Sequence, residues 1–347
     1  MLKIAVIVSL LASWVVYPIE IETLYGTLCV EEPVLVELIQ SEAMQRLKGV
    51  HQYGPIYYVK PTAEYSRFIH SLGVLYLVRQ FGGSLFEQIA ALLHDVSHTV
   101  FSHVGDHFFK CVDGDYSYQD TIHLQFIRDT DIAAILDKYG IAVENIDHKS
   151  PTFTRLESKH PNICADRLEY VLYGGFIEHV LTQDDARFII AALVFIDNQW
   201  VFTDRGAARL FADTSLYLTE QVFATAINNV VYYWTAKALR RACKIGLISL
   251  PTISHGTDSY VWGVLCGSSD AKLTQLIDVI RHYSHHYRVV DALQPYDMHF
   301  VSKFRGIDPL VLVDNHIDRL TNIDDAYANR YLTCKSHVCD GMYVNFM

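Results

Sequence analysis

Several familiar signatures are missing from this sequence, and each absence removes a class of function. No C-x-x-C pair occurs, and the seven cysteines are an odd number. That argues against a zinc ribbon and against a complete disulfide framework. Free, mostly buried thiols in a reducing compartment are the expectation. Gly82-Gly83 is not followed by Gly-Lys-Ser/Thr, so there is no phosphate-binding loop of that type. No G-x-S-x-G elbow is present either. Basic residues are scarce: 28 Lys and Arg stand against 39 Asp and Glu, a net charge of −11. Bulk nucleic-acid binding is therefore not expected. A phosphate ligand would need a local pocket of Arg, Lys, His or metal. No run reaches the roughly 18 uninterrupted apolar residues of a membrane-spanning helix. Internal repeats and low-complexity segments are also absent.

What is present is a globular composition. The 347 residues are 51% hydrophobic and 19% charged, with 22 Tyr. A disordered chain, collagen and a coiled-coil rod are excluded. The length allows two ordinary domains or one large one. The start reads two ways. Met1-Leu2-Lys3 followed by the apolar run 4–16 resembles a signal peptide, but Trp14, Val15, Val16 and Tyr17 make a poor cleavage region. The other reading is an apolar strand or helix packed on the domain. The expected location is cytoplasmic, with export as the alternative if residues 1–16 act as a signal.

The coarse pattern is mostly helical. Apolar spacing predicts helices over 34–50, 67–80, 85–102, 119–139, 165–173, 184–195 and 205–245. Gly174-Gly175 and Asn198-Gln199 read as breaks. Residues 246–262 carry Pro, Ser, Thr and Gly and read as a loop, followed by a helix over 270–283. Short β-leaning runs lie at 287–293, 299–304 and 310–313. The tail after Asp325 is weakly patterned. The expected organisation is an N-terminal segment over 1–16, a helical core over 17–245 and a small mixed α/β appendage over 246–347.

The informative residues are histidines and aspartates, with 17 His in the chain. Arg67 and His70 are followed by His94, Asp95, His98, His103 and Asp106, with Asp166 far downstream. On a helix His94 and His98 share a face, Asp95 lies close to it, and Arg67 and His70 sit one turn apart. Two antiparallel helices joined through Gly82-Gly83 would bring His70 beside His94 and Asp95. Imidazoles and carboxylates together are a mixed N/O donor set with open positions, suited to Mn, Fe, Mg, Ni or Zn. A metal there would hold a phosphoryl oxygen and acidify a water. A buried His–Asp network that only braces the core is the structural alternative.

These residues sit in longer motifs. Gln45-Arg46-Leu, Gln52-Tyr53-Gly54, Arg67-Phe-Ile-His70-Ser-Leu-Gly73, Leu93-His94-Asp95-Val-Ser-His98, Phe-Ser-His103 and Ala165-Asp166-Arg167-Leu-Glu-Tyr170 follow one another in order. In that order they resemble the HD-domain metal-dependent phosphohydrolases. The branch they resemble is the dNTP triphosphohydrolases of the SAM-and-HD-domain type and their bacterial relatives. The resemblance covers about 17–175. It implies an HD-domain helical bundle and one divalent metal ion on His70, His94, Asp95 and Asp166. It implies that Arg67 holds phosphate, that His98 contacts the phosphate under attack, and that His103 and Asp106 lie at or just behind the site. Gln52 would face the sugar and Tyr170 the nucleoside. Lys303 and Arg305, in a stretch that is similar to late motifs of some relatives, would reach a triphosphate or a neighbouring subunit, or else form a plain solvated strand face.

Two departures stand out. Where dNTP-hydrolysing members carry a catalytic His-Glu pair, this chain has Gln119-Asp120, with a candidate His123 one helical turn on; either His123 takes over or the chemistry is weakened. Where members that read a sugar 3′-hydroxyl carry Asp, this chain has Gly174. The expected activity is metal-dependent hydrolysis of a nucleotide phosphoester, dNTP triphosphohydrolase-like, with His98, His123 and Asp106 in catalysis. A non-catalytic nucleotide- or metal-binding module is the alternative. The expected partner is a small phosphoester, with a homo-oligomer expected from the resemblance alone.

Overall fold

A computed structural model describes residues 17–60, 64–109 and 117–347. The segment 1–16, with its two readings, lies outside them. The protein is mostly helical, and no helix of the described residues is long and apolar enough to cross a membrane.

A hairpin of β1 (Ile19–Glu22) and β2 (Thr27–Val30) leads into α1 (Pro33–Gln40) and α2 (Glu42–Arg46). The single helix expected over 34–50 is broken at Ser41. Its backbone turns extended, and its hydroxyl accepts the Met44 N–H to cap α2. Next come α3 (Arg67–Gln80), α4 (Leu85–Leu93) and α5 (Val104–Phe109). The helix expected over 85–102 stops at Leu93. Beyond it the chain makes tight turns, with i to i+3 bonds from the Val96 N–H to Leu93 and from the His98 N–H to Asp95. Phe101 and Ser102 then adopt left-handed φ values of 58° and 55°. His94 and His98 therefore do not lie on one helical face.

The helix expected over 119–139 is two, α6 (Tyr118–Arg128) and α7 (Asp131–Lys138), because Thr130 is extended. After α7 come α8 (Ala165–Ile177), α9 (Gln183–Ala191), β3 (Leu193–Ile196) and β4 (Gln199–Phe202). The last part of the helix expected over 184–195 is thus strand. Asp197 and Asn198 supply the two left-handed residues of the hairpin turn. Gly174-Gly175 does not break α8. A Cβ on Gly175 would come within 2.7 Å of the Thr214 methyl, so glycine here allows close packing. Thr214 belongs to α10 (Arg205–Leu218), which a π-helical turn (Thr219–Phe223) separates from α11 (Ala226–Lys244).

The stretch expected as a loop over 246–262 holds α12 (Leu250–His255) and the start of α13 (Asp258–Cys266). Its Ser and Pro are start signals: Ser249 caps α12 and Pro251 lies in the first turn. The rest is α14 (Ala271–Arg281), β5 (Tyr287–Val290), β6 (Met298–Phe300), β7 (Leu310–Val313), β8 (His316–Arg319), α15 (Leu320–Ile323), α16 (Asp325–Asp340) and β9 (Met342–Phe346). The tail is thus well structured, with Asp324 capping α16.

The sheets are small, with strand orders β1-β2, β3-β4-β7-β8 and β5-β9-β6. They are not confined to the C-terminal region, since β7 pairs in parallel with β4. The core also crosses the expected boundary at 245. Tyr53, Phe101 and Trp234 share one buried cluster with Leu273, Phe300 and Val344. Of the six described cysteines all are free, and only Cys164 and Cys334 are buried.

Candidate active site

The centre forms where α3, the end of α4 and the start of α8 meet. Ser66 caps α3 by accepting the Ile69 N–H, which places Arg67 in the first turn and His70 one turn on. The His70 Nε2 atom lies 3.1 Å from His94 Nε2, 3.1 Å from Asp166 Oδ1 and 3.5 Å from Asp95 Oδ2. His94 Nε2 is 3.6 Å from Asp95 Oδ1 and 3.7 Å from Asp166 Oδ1. The four expected ligands are therefore in one place.

Their other atoms are tied down. His94 donates Nδ1–H to the Ala91 carbonyl at 2.8 Å. His70 gives its Nδ1–H to Glu169 Oε2. Glu169 is fully buried and accepts from the Tyr65 hydroxyl at 2.6 Å and the Tyr25 hydroxyl at 3.1 Å. Both imidazoles thus turn Nε2 toward each other, with two carboxylates beside them. Candidate ligand atoms of His70, His94 and Asp95 all lie within 4.8 Å of one another. Acceptors this close call for a cation, and the mixed N/O set with carboxylate-oriented imidazole fits a divalent metal.

The electrostatics agree. Burial alone would lower the His70 pKa, but Glu169, Asp166 and Asp95 outweigh it and push it up to about 10. Burial would raise Asp95, yet Arg67, His94 and His98 hold its carboxyl well below the usual range. Burial and the Arg67 charge push His98 down to about 3. It is neutral at pH 7 and stands 3.2 Å from Asp95 Oδ1.

The turns carrying Asp95, His98 and His103 are held from afar. Arg46 donates Nη2 to the Val96 and His98 carbonyls, both at 2.8 Å, and Nη1 to Gly256 at 3.2 Å. Asp258, at the start of α13, accepts the Phe101 N–H at 2.6 Å and the His51 N–H at 2.9 Å. Ser102 donates to the His51 carbonyl and accepts from Arg67 Nε at 2.8 Å. Arg67 also donates Nη1 to Asp95. Its Nη2 is buried without a partner.

His103 Nδ1 is 3.0 Å from Asp106 Oδ2, and Asp106 Oδ1 accepts the Tyr118 N–H at 2.6 Å. Burial raises the Asp106 pKa, but these hydrogen bonds outweigh it and hold the carboxyl below its usual range. His98 and His103 rings meet edge-on, centroids 5.1 Å apart. His123 is placed differently. It is buried behind the wall with Nδ1 3.0 Å from Ser97 Oγ, and it does not line the cavity. Gln119 does line it, with its amide oxygen accepting from Ser97 at 2.8 Å.

The cavity beside this centre measures about 470 Å³. Gln52, Arg67, His103, Asp106 and Tyr170 line it, together with Lys303 and Arg305 from the chain before β7. Tyr53, His148 and Phe223 also face it. Sequence reasoning gave no role to Glu169, Arg46 or Asp258. Glu169 left a signal, being an acid one turn after Asp166 in an apolar helix. Arg46 lay in the Gln45-Arg46-Leu motif without a role, and Asp258 left no signal, because both serve backbone groups remote in sequence.

A buried two-histidine, two-carboxylate centre opening on a cavity is the make-up of a metal-dependent hydrolase. Comparison with known proteins agrees. The family model for the HD domain matches residues 67–141. The uncharacterized protein YdhJ of Bacillus subtilis is 32% identical over 317 residues, covering 90% of this chain and 95% of that one. The metal-dependent phosphohydrolase cns2 of Cordyceps militaris is 38% identical over 263 residues, 74% of this chain and 75% of that one. The deoxynucleoside triphosphate triphosphohydrolase SAMHD1 of Homo sapiens is 32% identical over 133 residues, only 32% of this chain and 21% of that protein. A solved phosphohydrolase from Bacteroides thetaiotaomicron shares the fold, with a TM-score of 0.70 at 18% identity over 94% of this chain and 98% of that one. The chain belongs to the HD-domain metal-dependent phosphohydrolases.

Proposed function

We propose that the protein hydrolyses a nucleotide at a phosphoester or phosphoanhydride bond. The observation that carries this reading is the unpartnered Arg67 Nη2, buried on the cavity wall beside the metal donor set. An arginine whose remaining donor faces a cavity is suited to a phosphoryl oxygen. The finer form, dNTP triphosphohydrolase-like, draws on the distant SAMHD1 relatives.

His70, His94, Asp95 and Asp166 would hold one divalent ion, which when bound supplies charge to a phosphoryl oxygen and acidifies water. Arg67 orients the phosphate through Nη2. Neutral His98 stands beside Asp95 as a hydrogen-bonding group for the phosphate under attack. His103 carries the proton given to the leaving oxygen. Asp106 accepts from its Nδ1, so Nε2 is the atom that delivers it. Gln52 and Tyr170 take the nucleoside side, and Lys303 and Arg305 the outer phosphates. His123 acts through Ser97 rather than on substrate. Homo-oligomer formation is retained as part of the proposal.

Elemental analysis followed by a phosphate-release screen with Mn, Mg, Fe and Ni tests the proposal. Near-stoichiometric metal with release from nucleotides is the expected outcome. Triphosphate release from dNTPs would support the finer form, and orthophosphate release would replace it with a monophosphatase. Metal without turnover of any nucleotide would defeat the proposal.

A further inference from the structure

Away from the metal, the cavity wall carries polar atoms that no protein group satisfies. The Tyr53 and Tyr170 hydroxyls and the Gln52 amide oxygen are buried without a hydrogen-bond partner. Tyr53 and Tyr170 are each 9% exposed, and all three residues line the cavity. Leaving a buried polar group unpaired is unfavourable, so three together on one wall suit a ligand that supplies the partners.

Helix α8 fixes where these atoms stand. Asp166, Tyr170 and Gly174 recur every four residues along one face. At about 1.5 Å rise per residue, Tyr170 lies about 6 Å and Gly174 about 12 Å along the axis from the metal-side carboxylate. Tyr53 stands over the far position, where a Cβ on residue 174 would be 3.1 Å from its hydroxyl oxygen. Both tyrosine rings meet Phe223 edge-on, Tyr53 at 6.2 Å and Tyr170 at 6.0 Å between centroids. Burial pushes the Tyr53 phenol well above its ordinary pKa and Tyr170 up to about 12, so both stay neutral hydroxyls.

We infer that Tyr53, taking the space that Gly174 leaves open, is the residue that selects the sugar, and that with Tyr170 and Gln52 it favours ribonucleotides over deoxyribonucleotides. The inference rests on the nucleotide reading above and stands against its finer dNTP form, which the ribo/deoxyribo comparison below decides. Its reason is the number of partners required. A ribose offers two hydroxyls, each able to donate and accept, where 2′-deoxyribose offers one. A site built to bond a hydroxyl rejects the analogue lacking it far more strongly than an apolar pocket rejects an extra one.

The test uses the full-length, Mn-loaded protein. It compares kcat/KM for matched ribo- and deoxyribonucleoside 5′-phosphates, with p-nitrophenyl phosphate as a sugar-free reference. The wild type should favour the ribonucleotide by at least about tenfold, the scale of one lost hydrogen bond at about 1.4 kcal/mol. Tyr53→Phe should bring that ratio close to one while Mn content is retained. Gly174→Ala crowds the Tyr53 hydroxyl without removing it and should lower the ratio part of the way. It also gives a second readout should Tyr53→Phe fold poorly. Preference for the deoxyribonucleotide, or a ratio that neither variant moves, would overturn the inference and leave the nucleotide reading standing. Hydrolysis of p-nitrophenyl phosphate with no nucleotide turned over would bring down the nucleotide reading, and this inference with it.

Discussion

The two ends of the cavity are built on opposite plans. At the metal end the donor groups are already engaged by other protein groups, while Arg67 Nη2 is left for the phosphate. Glu169 holds His70, Ala91 holds His94, Arg67 holds Asp95 and the Tyr118 N–H holds Asp106. At the other end the Tyr53, Tyr170 and Gln52 side chains leave polar atoms unpaired. The first plan fixes donor atoms before substrate arrives, so little reorganisation remains for the reaction. The second leaves satisfaction to the ligand and makes binding selective. Chemistry is therefore set by protein–protein contacts, and recognition by contacts the protein leaves open.

The largest test of this contrast is at the ligands themselves. Asp95→Asn should empty the centre of metal and lower kcat/KM by more than about a hundredfold, since loss of supporting groups alone reaches that scale. Elemental analysis beside a rate measurement checks it; retained metal with full rate would sink the ligand assignment. Next comes the proton carrier. His103→Ala should cost about 10²–10⁴-fold in kcat with metal content unchanged. Asp106→Asn should give a smaller loss of the same kind, because His103 keeps its place but loses its orienting carboxylate.

A third test reaches the outer layer of the engaged end. Glu169→Gln keeps the shape and can still accept from Tyr65 and Tyr25, but weakens the hold on His70. Metal affinity should fall about 10–100-fold, read by titration against a competing chelator. An unchanged affinity would mean that Glu169 only fills space. The smallest effect is expected behind the wall. His123→Gln should change kcat less than about tenfold, within the loss expected of a residue acting through Ser97. A loss as large as that of His103→Ala would return His123 to the reacting groups.

Much of this was legible in the sequence, but unevenly. The His70, His94, Asp95 and Asp166 set could be named because its motifs resemble a family, and the four do converge. The reason offered from helical spacing was wrong for His98. The helix stops at Leu93, and residues 94–103 are a series of turns. Apolar periodicity does not report such turns, because they are specified by Arg46 and Asp258 bonding to backbone groups. The 246–262 stretch reads as a loop for a related reason. Ser and Pro suit loops and helix starts alike; here Ser249 and Pro251 start α12, and the next helix, α13, opens with the Asp258 that supports the site. Gly174-Gly175 misled in the same way, since a glycine that permits close packing looks like one that ends a helix.

By itself the sequence determined that this is a mostly helical protein with one metal-binding cluster of histidine and aspartate. Those properties follow from local periodicity and from motifs that travel together. Tertiary structure alone decided which groups reach the cavity. It set His103 on the wall and His123 behind it, laid Asp166, Tyr170 and Gly174 along one face of α8, and brought Tyr53 over Gly174. The physical reason is that hydrogen-bond partners and open space are relations between distant segments. A residue's type states what it can bond, and only packing states what is left for it to bond.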